Sequence, residues 1–205
     1  MTTSIDYKKE LKALYGGVKK QPHIIDVPPM NYLMIDGKGD PNVAQSYADA
    51  VTTLYNLAYA IRFAVKKAQD IAFTVMPLQG LWWMPEMTAF TTAPKSDWLW
   101  TMMIMQPDWI TQEMIDAGIA KARGKLGDPP PSLRLEDYDE GLSVQTMHVG
   151  PYSAEAPTIA RMHNEFMPEN GLVPNGHHHE IYLGDPRKVA PEKLKTVLRQ
   201  PVKKA

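Results

Sequence analysis

The order of predicted secondary-structure elements repeats along the chain, and this repeat limits the possible folds more than any other feature. Apolar, extended segments bounded by glycine and proline indicate strands, whereas apolar side chains spaced three and four residues apart indicate helices. A strand with apolar side chains on both of its faces is expected to be covered on both. In the first half, these patterns predict a strand, a helix and two strand regions at 30–36, 43–67, 71–84 and 97–107.

The second half repeats this order with negligible sequence identity to the first. "LSVQTMHVG" (142–150) predicts a strand, Ser153 is expected to cap a helix, and "HHHEIYL" (177–183) predicts a second strand. A short helical turn and a last strand follow in "APEKLKTVLRQPV" (190–202). The repeat predicts an α+β fold: a duplicated strand-helix-strand-strand unit that forms a shared antiparallel sheet, with helices on one face and a ligand cleft on the other.

The middle of the chain separates the two repeats. Residues 111–123 predict a helix that Thr111 caps, and the three prolines of "GKLGDPPPSLR" make the following connector stiff and non-helical. A length of 205 residues fits one domain. We therefore expect a single domain over 1–205, built of repeats at roughly 22–106 and 133–203 that the helix and connector at 107–132 join.

The bulk composition excludes several functional classes. The formal net charge is -1, so the overall charge does not predict nucleic-acid or membrane binding. The chain has no cysteine, which excludes disulfides, thiolate metal ligands and cysteine nucleophiles. The first twenty residues lack an apolar core of signal-peptide length, and no segment approaches the ~18 apolar residues of a membrane span. We therefore expect a cytoplasmic protein that binds neither nucleic acid nor membrane.

Three adjacent histidines, His177 to His179, raise the question of a metal site. Alternate side chains of a strand share a face, so His179 points away from the face that carries His178, Glu180 and Tyr182. A metal ion needs three or four converging ligands, which this alternation does not provide. We expect no metal site, and we expect the histidines to be exposed at the end of a strand.

Glu180 is the acid that this strand carries. Carboxylates are depleted in strands and costly to bury without partners, so one alternative places Glu180 on a solvated edge. The other alternative buries it, with the Tyr182 hydroxyl as one partner and a cation, from the protein or from a ligand, as another. A buried acid beside aromatic rings can bind a flat cationic molecule, or it can act as a general base on a water molecule.

Four segments resemble the GyrI-like small-molecule-binding family, and together they cover nearly the whole chain. They are "IDGKGDPN" (35–42), "PLQGLWW" (77–83), "QTMHVGPYSAE" (145–155) and, most specific of the four, "HHEIYLGDPRKVAPEKLKTVLRQPV" (178–202). The resemblance implies a duplicated unit of the SHS2 type and a glutamate on a late strand inside an aromatic cleft, which corresponds to Glu180. Members of the family include ligand-sensing halves of transcription activators, gyrase inhibitors, and stand-alone hydrolases that open the cyclopropane of DNA-alkylating natural products.

Among the functions that the resemblance implies, hydrolysis fits the chain best. The segment before Met30 is too short for a helix-turn-helix domain, so we do not expect a transcription activator. We expect a stand-alone protein that binds bulky aromatic, cationic or electrophilic small molecules and hydrolyses cyclopropane-bearing toxins without a cofactor. The alternative is a non-catalytic multidrug-binding or sequestering module. A gyrase-inhibitor-like interaction protein is the weaker alternative, because a near-zero net charge does not provide an acidic, DNA-like surface.

The resemblance and the strand faces together give the candidate site residues. As catalytic residues, Glu180 would activate the attacking water, and the Tyr152 hydroxyl would stabilise charge on the substrate oxygen. Gln79 stands where the resemblance implies an acid, which puts any mechanism with a second carboxylate there in doubt. An exposed sheet edge would allow a homodimer. The residues expected to bind a hydrophobic aromatic small molecule are Tyr59, Trp83, Trp100, Tyr152, Glu180 and Tyr182.

Overall fold

The structure is a computed structural model that describes residues 3–85 and 93–205. It contains two compact units, and the chain passes from one unit to the other more than once. The first unit comprises Met1–Glu10 and Met30–Tyr138, and the second comprises Leu11–Pro29 and Asp139–Ala205. These boundaries differ from those of the predicted repeats, because the helix and the proline-rich connector that were expected to link the repeats belong to the first unit.

Strands and helices alternate along both units. The described strands are β1 Thr3–Ile5, β2 His23–Val27, β3 Met30–Lys38, β4 Ile71–Phe73, β5 Leu78–Trp83, β6 Leu99–Gln106, β7 Arg134–Tyr138, β8 Gly141–Val149, β9 Leu172–Pro174, β10 His178–Tyr182 and β11 Lys195–Lys204. The helices are α1 Tyr7–Glu10, α2 Gln45–Gln69, α3 Gln112–Leu126, α4 Ala156–Arg161 and α5 Met167–Glu169, and the π-helical segment Met162–Phe166 joins α4 to α5. Short 3-10 turns lie at Lys12–Leu14, Lys95–Asp97, Tyr152–Ala154 and Pro191–Lys193.

The first unit packs two helices on an antiparallel sheet with the strand order β5–β6–β3–β7. The predicted apolar face of α2 is buried, and α3 packs against it at Gly118, where a Cβ atom would lie 2.9 Å from Leu57. A side chain at position 118 would require Leu57 to shift. Thr111 caps α3 as predicted, since its hydroxyl accepts a hydrogen bond from the Met114 backbone N–H.

The second unit has the antiparallel strand order β2–β8–β11–β10, and β9 pairs with the end of β11. The helical stretch from α4 to α5 packs on one face of this sheet through Met162 and Met167, which form a core cluster with Val144. The segment that begins at Leu11 lies on the opposite face, where its backbone accepts hydrogen bonds from Gln145 and Arg199. Both faces of the central strands are therefore covered.

Each unit contains the order strand, helix, strand, strand, as β3–α2–β5–β6 and as β8–α4–β10–β11. This confirms the predicted α+β class and the duplicated unit. The predicted cap at Ser153 is wrong, because Ser153 lies in a 3-10 turn and Glu155 occupies the N-cap position of α4. In the described part of the chain, no helix has the length and apolar character that crossing a membrane requires.

Candidate functional site

The side chains of β10 point alternately to the two faces of the sheet, and both faces are covered. His178, Glu180 and Tyr182 project from the face on which α4 packs, and His179 projects from the other. The expectation of exposed histidines is wrong for His178 and His179, which are 4% and 0% exposed. The reason is that β11 pairs along β10, while the helical stretch and the segment from Leu11 cover the two faces of the second unit.

The structure decides between the two alternatives for Glu180, because the side chain is largely buried at 16% exposure. The Tyr182 hydroxyl donates a hydrogen bond to Glu180 Oε2 at 2.8 Å, as the buried alternative predicts. His178 Nε2 lies 3.4 Å from Glu180 Oε1. The acid therefore lies under the helical stretch of its own unit, on the face that we expected the helices to cover and not on the opposite one.

A second carboxyl group, that of Glu155 at the N-terminal end of α4, lies near Glu180. Glu155 is buried, and its Oε1 has no hydrogen-bond partner among the described residues. Burial raises the pKa of Glu155 to about 8, the negative charge of Glu180 adds to this rise, and the Thr196 hydroxyl opposes it. Two neighbouring carboxyl groups in a buried site do not readily ionise together. Glu155 therefore carries a proton at neutral pH, and we call these two residues the carboxyl pair.

The surroundings of the carboxyl pair contain histidines, and the described residues include no lysine or arginine paired with it. The ring of His163, on the π-helical segment, lies 6.4 Å from the ring of His178. Burial and the neighbouring His178 lower the pKa of His163 to about 4, so His163 is neutral at neutral pH. The described residues contain no group of three or more histidines and acids that could hold a metal ion.

The end of β8 holds Glu155 in place. His148 Nε2 lies 3.3 Å from the Pro151 carbonyl oxygen, and its Nδ1 lies 3.3 Å from the Thr158 hydroxyl oxygen. The carbonyl can only accept, so Nε2 donates to it. Gly150 permits the sharp exit from the strand because its φ of +144° is one that residues with a side chain rarely adopt. The resulting loop carries Glu155 back over the sheet.

Three of the six predicted ligand-binding residues lie together in the second unit. The rings of Tyr152 and Tyr182 meet edge to face with their centroids 5.5 Å apart. Tyr152 is 39% exposed, and Tyr182 donates a hydrogen bond to Glu180, so we call these two tyrosines the rim of the site. The catalytic role expected for Tyr152 stays a prediction.

The other three predicted residues belong to the first unit. Tyr59 is exposed on α2, where it stacks on Phe63. Trp83, near the end of β5, is partly exposed. Trp100 is buried, with its ring over Gly37 and its edge against Tyr47, and it lines a cleft of about 510 Å³ together with Asp36 and Asp49. The ligand-binding roles of Tyr59, Trp83 and Trp100 stay predictions.

The sequence analysis did not find Glu155 or His178 as site residues. An acid at the start of a helix is common for electrostatic reasons alone, because it interacts favourably with the helix dipole, and this made Glu155 inconspicuous. Glu155 is nevertheless the last residue of "QTMHVGPYSAE", a segment that carries the family resemblance. This position, inside a segment that resembles the family, was the signal from which Glu155 could have been identified as a site residue. A second carboxyl group near Glu180 is thus present at Glu155.

The profile of the GyrI-like small molecule binding domain family matches residues 20–203. The chain belongs to this family. The match includes both carboxyl groups of the pair and both tyrosines at the rim. Small-molecule binding is therefore the general function of the fold described above. No curated protein sequence matches the chain.

Solved structures of similar proteins agree with the family assignment. A conserved protein of uncharacterised function from Listeria innocua is 42% identical with a TM-score of 0.89, over 97% of this chain and 100% of that one. A hydrolase from Listeria innocua is 41% identical with a TM-score of 0.86, over 98% and 100% of the two chains. The C-terminal domain of EcmrR is 13% identical with a TM-score of 0.56, over 90% and 98%, which shows a likeness of fold alone.

Proposed function

We propose that this GyrI-like protein is a cofactor-independent hydrolase that adds water to cyclopropane-bearing, electrophilic aromatic compounds. The observation that carries the proposal is the carboxyl pair, in which one group is protonated at neutral pH beside a carboxylate. Such a pair offers a general acid and a general base in the same buried site. The similarity to a Listeria innocua hydrolase supports a catalytic role.

The chemistry requires both members of the pair. Glu180 takes a proton from water while the water oxygen forms a bond to the cyclopropane carbon. The strained carbon–carbon bond breaks, and its electron pair moves through the conjugated ring to the carbonyl oxygen. Glu155 donates its proton to that oxygen, so the product is a phenol and the net change is the addition of one water molecule. The Tyr182 hydroxyl, which bonds the other oxygen of Glu180, keeps the base oriented during the transfer.

The rim of the site suits a flat substrate. Tyr152 and Tyr182 present an aromatic corner next to Glu180, and aromatic rings bind one another through stacked and edge-to-face contacts. Tyr152 is also partly exposed to solvent. We assign to Tyr152 the stabilisation of charge on the substrate oxygen, in support of Glu155.

The second candidate function is sequestration of cationic aromatic molecules without turnover. It is favoured by two neighbouring buried carboxyl groups without an ion-paired lysine or arginine among the described residues. The two functions differ in their pH dependence. Hydrolysis needs the proton on Glu155, so its rate falls as pH rises through about 8, whereas cation binding strengthens there because the second carboxyl group ionises.

The test is to incubate the protein with a cyclopropane-bearing alkylating compound and to follow the addition of one water by mass spectrometry between pH 6 and pH 9. We expect turnover by the wild type and by the control Glu192→Gln, which changes an exposed glutamate of the same unit. We expect a loss of at least about a hundredfold for Glu180→Gln, the usual scale of a general-base contribution. Equal turnover by Glu180→Gln contradicts the mechanism. No turnover by any variant, together with tryptophan quenching by a flat cationic dye, favours sequestration.

A further inference from the structure

The two members of the carboxyl pair have different hydrogen-bonding surroundings. Glu180 accepts a hydrogen bond from Tyr182 on one oxygen and has His178 Nε2 3.4 Å from the other. Glu155 Oε1 has no partner among the described residues. Donors stabilise the ionised form of a carboxyl group. These surroundings therefore favour the negative charge on Glu180 and the proton on Glu155.

His178 is the member of this cluster that the proposed chemistry has not yet used. It is buried, and neither of its ring nitrogens makes a well-aligned hydrogen bond within the described part of the chain. Leaving a buried polar group unpaired costs about 1–3 kcal/mol, so a role in the site is the natural explanation for its retention. At 3.4 Å from Glu180 Oε1, a hydrogen on Nε2 is attracted to the carboxylate.

The chemistry of the partner determines the tautomer. A carboxylate oxygen only accepts hydrogen bonds, so the imidazole nitrogen that faces it is favourable only if it carries the hydrogen. Nε2 is therefore the nitrogen of His178 that carries a hydrogen towards Glu180. His163, on the other side of His178, is neutral at neutral pH because burial lowers its pKa to about 4, so it adds no competing positive charge.

We infer, on the basis of the proposed function, that His178 is a positioning residue of the site. Its Nε2–H acts with the Tyr182 hydroxyl to keep the negative charge on Glu180 and the proton of the pair on Glu155. Each turnover ends with the proton on Glu180 and with Glu155 ionised. The starting state returns when the proton passes from Glu180 to Glu155, and the two donors beside Glu180 drive it in that direction. The cycle then needs no net exchange of protons with solvent.

The other polar groups on this face of the sheet leave this role to His178 and Tyr182. Thr196 is the cross-strand neighbour of Tyr182, and its hydroxyl lies beside the carboxyl group of Glu155. His148 is engaged by Pro151 and Thr158. Tyr152, at the rim, contributes a ring contact to Tyr182. Among the described contacts of Glu180 on this face, His178 and Tyr182 are the donors.

The test is a pH titration of the full-length protein, with 13C-labelled glutamate carboxyl groups, by nuclear magnetic resonance. The signals of the pair are assigned by their loss in Glu155→Gln and Glu180→Gln. In His178→Phe, which keeps a planar ring but has no donor, we expect the proton affinity of Glu180 to rise about tenfold, equivalent to one pH unit, and that of Glu155 to fall. His178→Gln, which keeps an amide donor, is expected to restore most of the wild-type behaviour.

Unchanged titration of both glutamates in folded His178→Phe overturns the inference and leaves His178 as a packing residue. A second measurement needs no variant: the 15N shifts of His178 in the wild type should report a hydrogen on Nε2, and an Nε2 without a hydrogen overturns the inference directly. Neither measurement uses a ligand. Failure of the hydrolysis assay would therefore reject the proposed function while these titrations still reported on His178.

Discussion

Two buried acid–histidine clusters lie on opposite faces of β10 and its neighbours, and they differ in how completely their charges are paired. On one face, Glu140 accepts hydrogen bonds at 2.8 Å from both His179 and Arg199. Arg199 also donates to Gln145 and to the Leu14 carbonyl oxygen. We call this set the arginine network. On the other face, the carboxyl pair has two acids and no ion-paired lysine or arginine among the described residues.

The difference separates a structural use of buried charge from a functional one. Burial alone would raise the pKa of Glu140, but His179 and Arg199 hold it at about 2, so the acid stays ionised and matched. Glu155 moves the other way, to about 8, because burial and Glu180 act on it without a compensating cation. A buried charge whose partners are all present is matched within the fold, so removing one partner is costly, whereas a buried charge without a cationic partner can interact with a ligand.

The largest expected effect comes from breaking the arginine network. Arg199→Met leaves the Glu140 carboxylate buried without its cation, which should lower the free energy of unfolding by about 3–5 kcal/mol at pH 7. Urea denaturation measures this change. The control Lys195→Met replaces an exposed cation on the same strand and should stay within about 0.5 kcal/mol of the wild type. A small loss for Arg199→Met would show that the two clusters do not differ in the way described.

An intermediate effect, of opposite sign, is expected on the other face. The folded-state pKa of Glu155, about 8, exceeds its ordinary value of 4.5, so the folded protein binds an extra proton between these pH values and loses stability as pH rises through them. Glu155→Gln removes this loss. The variant should be more stable than the wild type by roughly 3 kcal/mol at pH 7, with the difference shrinking towards pH 5.

Glu140→Gln is the matched comparison for Glu155→Gln. Because the folded-state pKa of Glu140 is depressed to about 2, its contribution to stability is present above 4.5 and is lost as pH falls towards 2. Glu140→Gln should therefore be less stable than the wild type at pH 7, and the deficit should shrink as pH falls below 4.5. Urea denaturation across the pH range measures both variants, and curves of the same sign would remove the distinction between the clusters.

The smallest expected effect on stability comes from Tyr182→Phe. The substitution removes the 2.8 Å hydrogen bond to Glu180 at a partly exposed position, which should cost about 1 kcal/mol in the free energy of unfolding. The same substitution should raise the free-energy barrier of turnover, measured in the mass-spectrometric assay, by more than about 1 kcal/mol, because Tyr182 orients the proposed base. An equal effect on both quantities would assign Tyr182 a structural role only.

Periodicity made the elements of this fold predictable, because the pattern of apolar residues is a local property. The span of α2 and the cap at Thr111 follow from spacing and from one hydroxyl at the right position. The side of β10 on which Glu180 lies also follows from simple alternation, since Glu180 and Tyr182 must share a face. Each of these predictions needs only residues that are close together in the chain.

Burial of the polar residues was not predictable in the same way, because it depends on partners that are distant in the sequence. Arg199 meets the Leu14 carbonyl oxygen across a separation of 185 residues, and Gln145 meets that of Ala13 across 132. Neither backbone carbonyl leaves a signal in the side-chain pattern. The histidines of β10 therefore looked like exposed strand-end residues, and Glu155 looked like an acid at a helix start.

The position of the segment Leu11–Pro29 in the chain has a consequence for folding during synthesis. This segment belongs to the second unit, yet it leaves the ribosome before nearly all of the first. Its partners lie on β8 and on β11, and β11 is the last strand to be synthesised, so the arginine network can close only when the chain is almost complete. A gene truncated after Tyr138 encodes the first unit with an unpaired segment inside it, and the remaining fragment lacks the strand that borders β8. The two units resemble each other in element order, but neither can be inherited or expressed as a separate half.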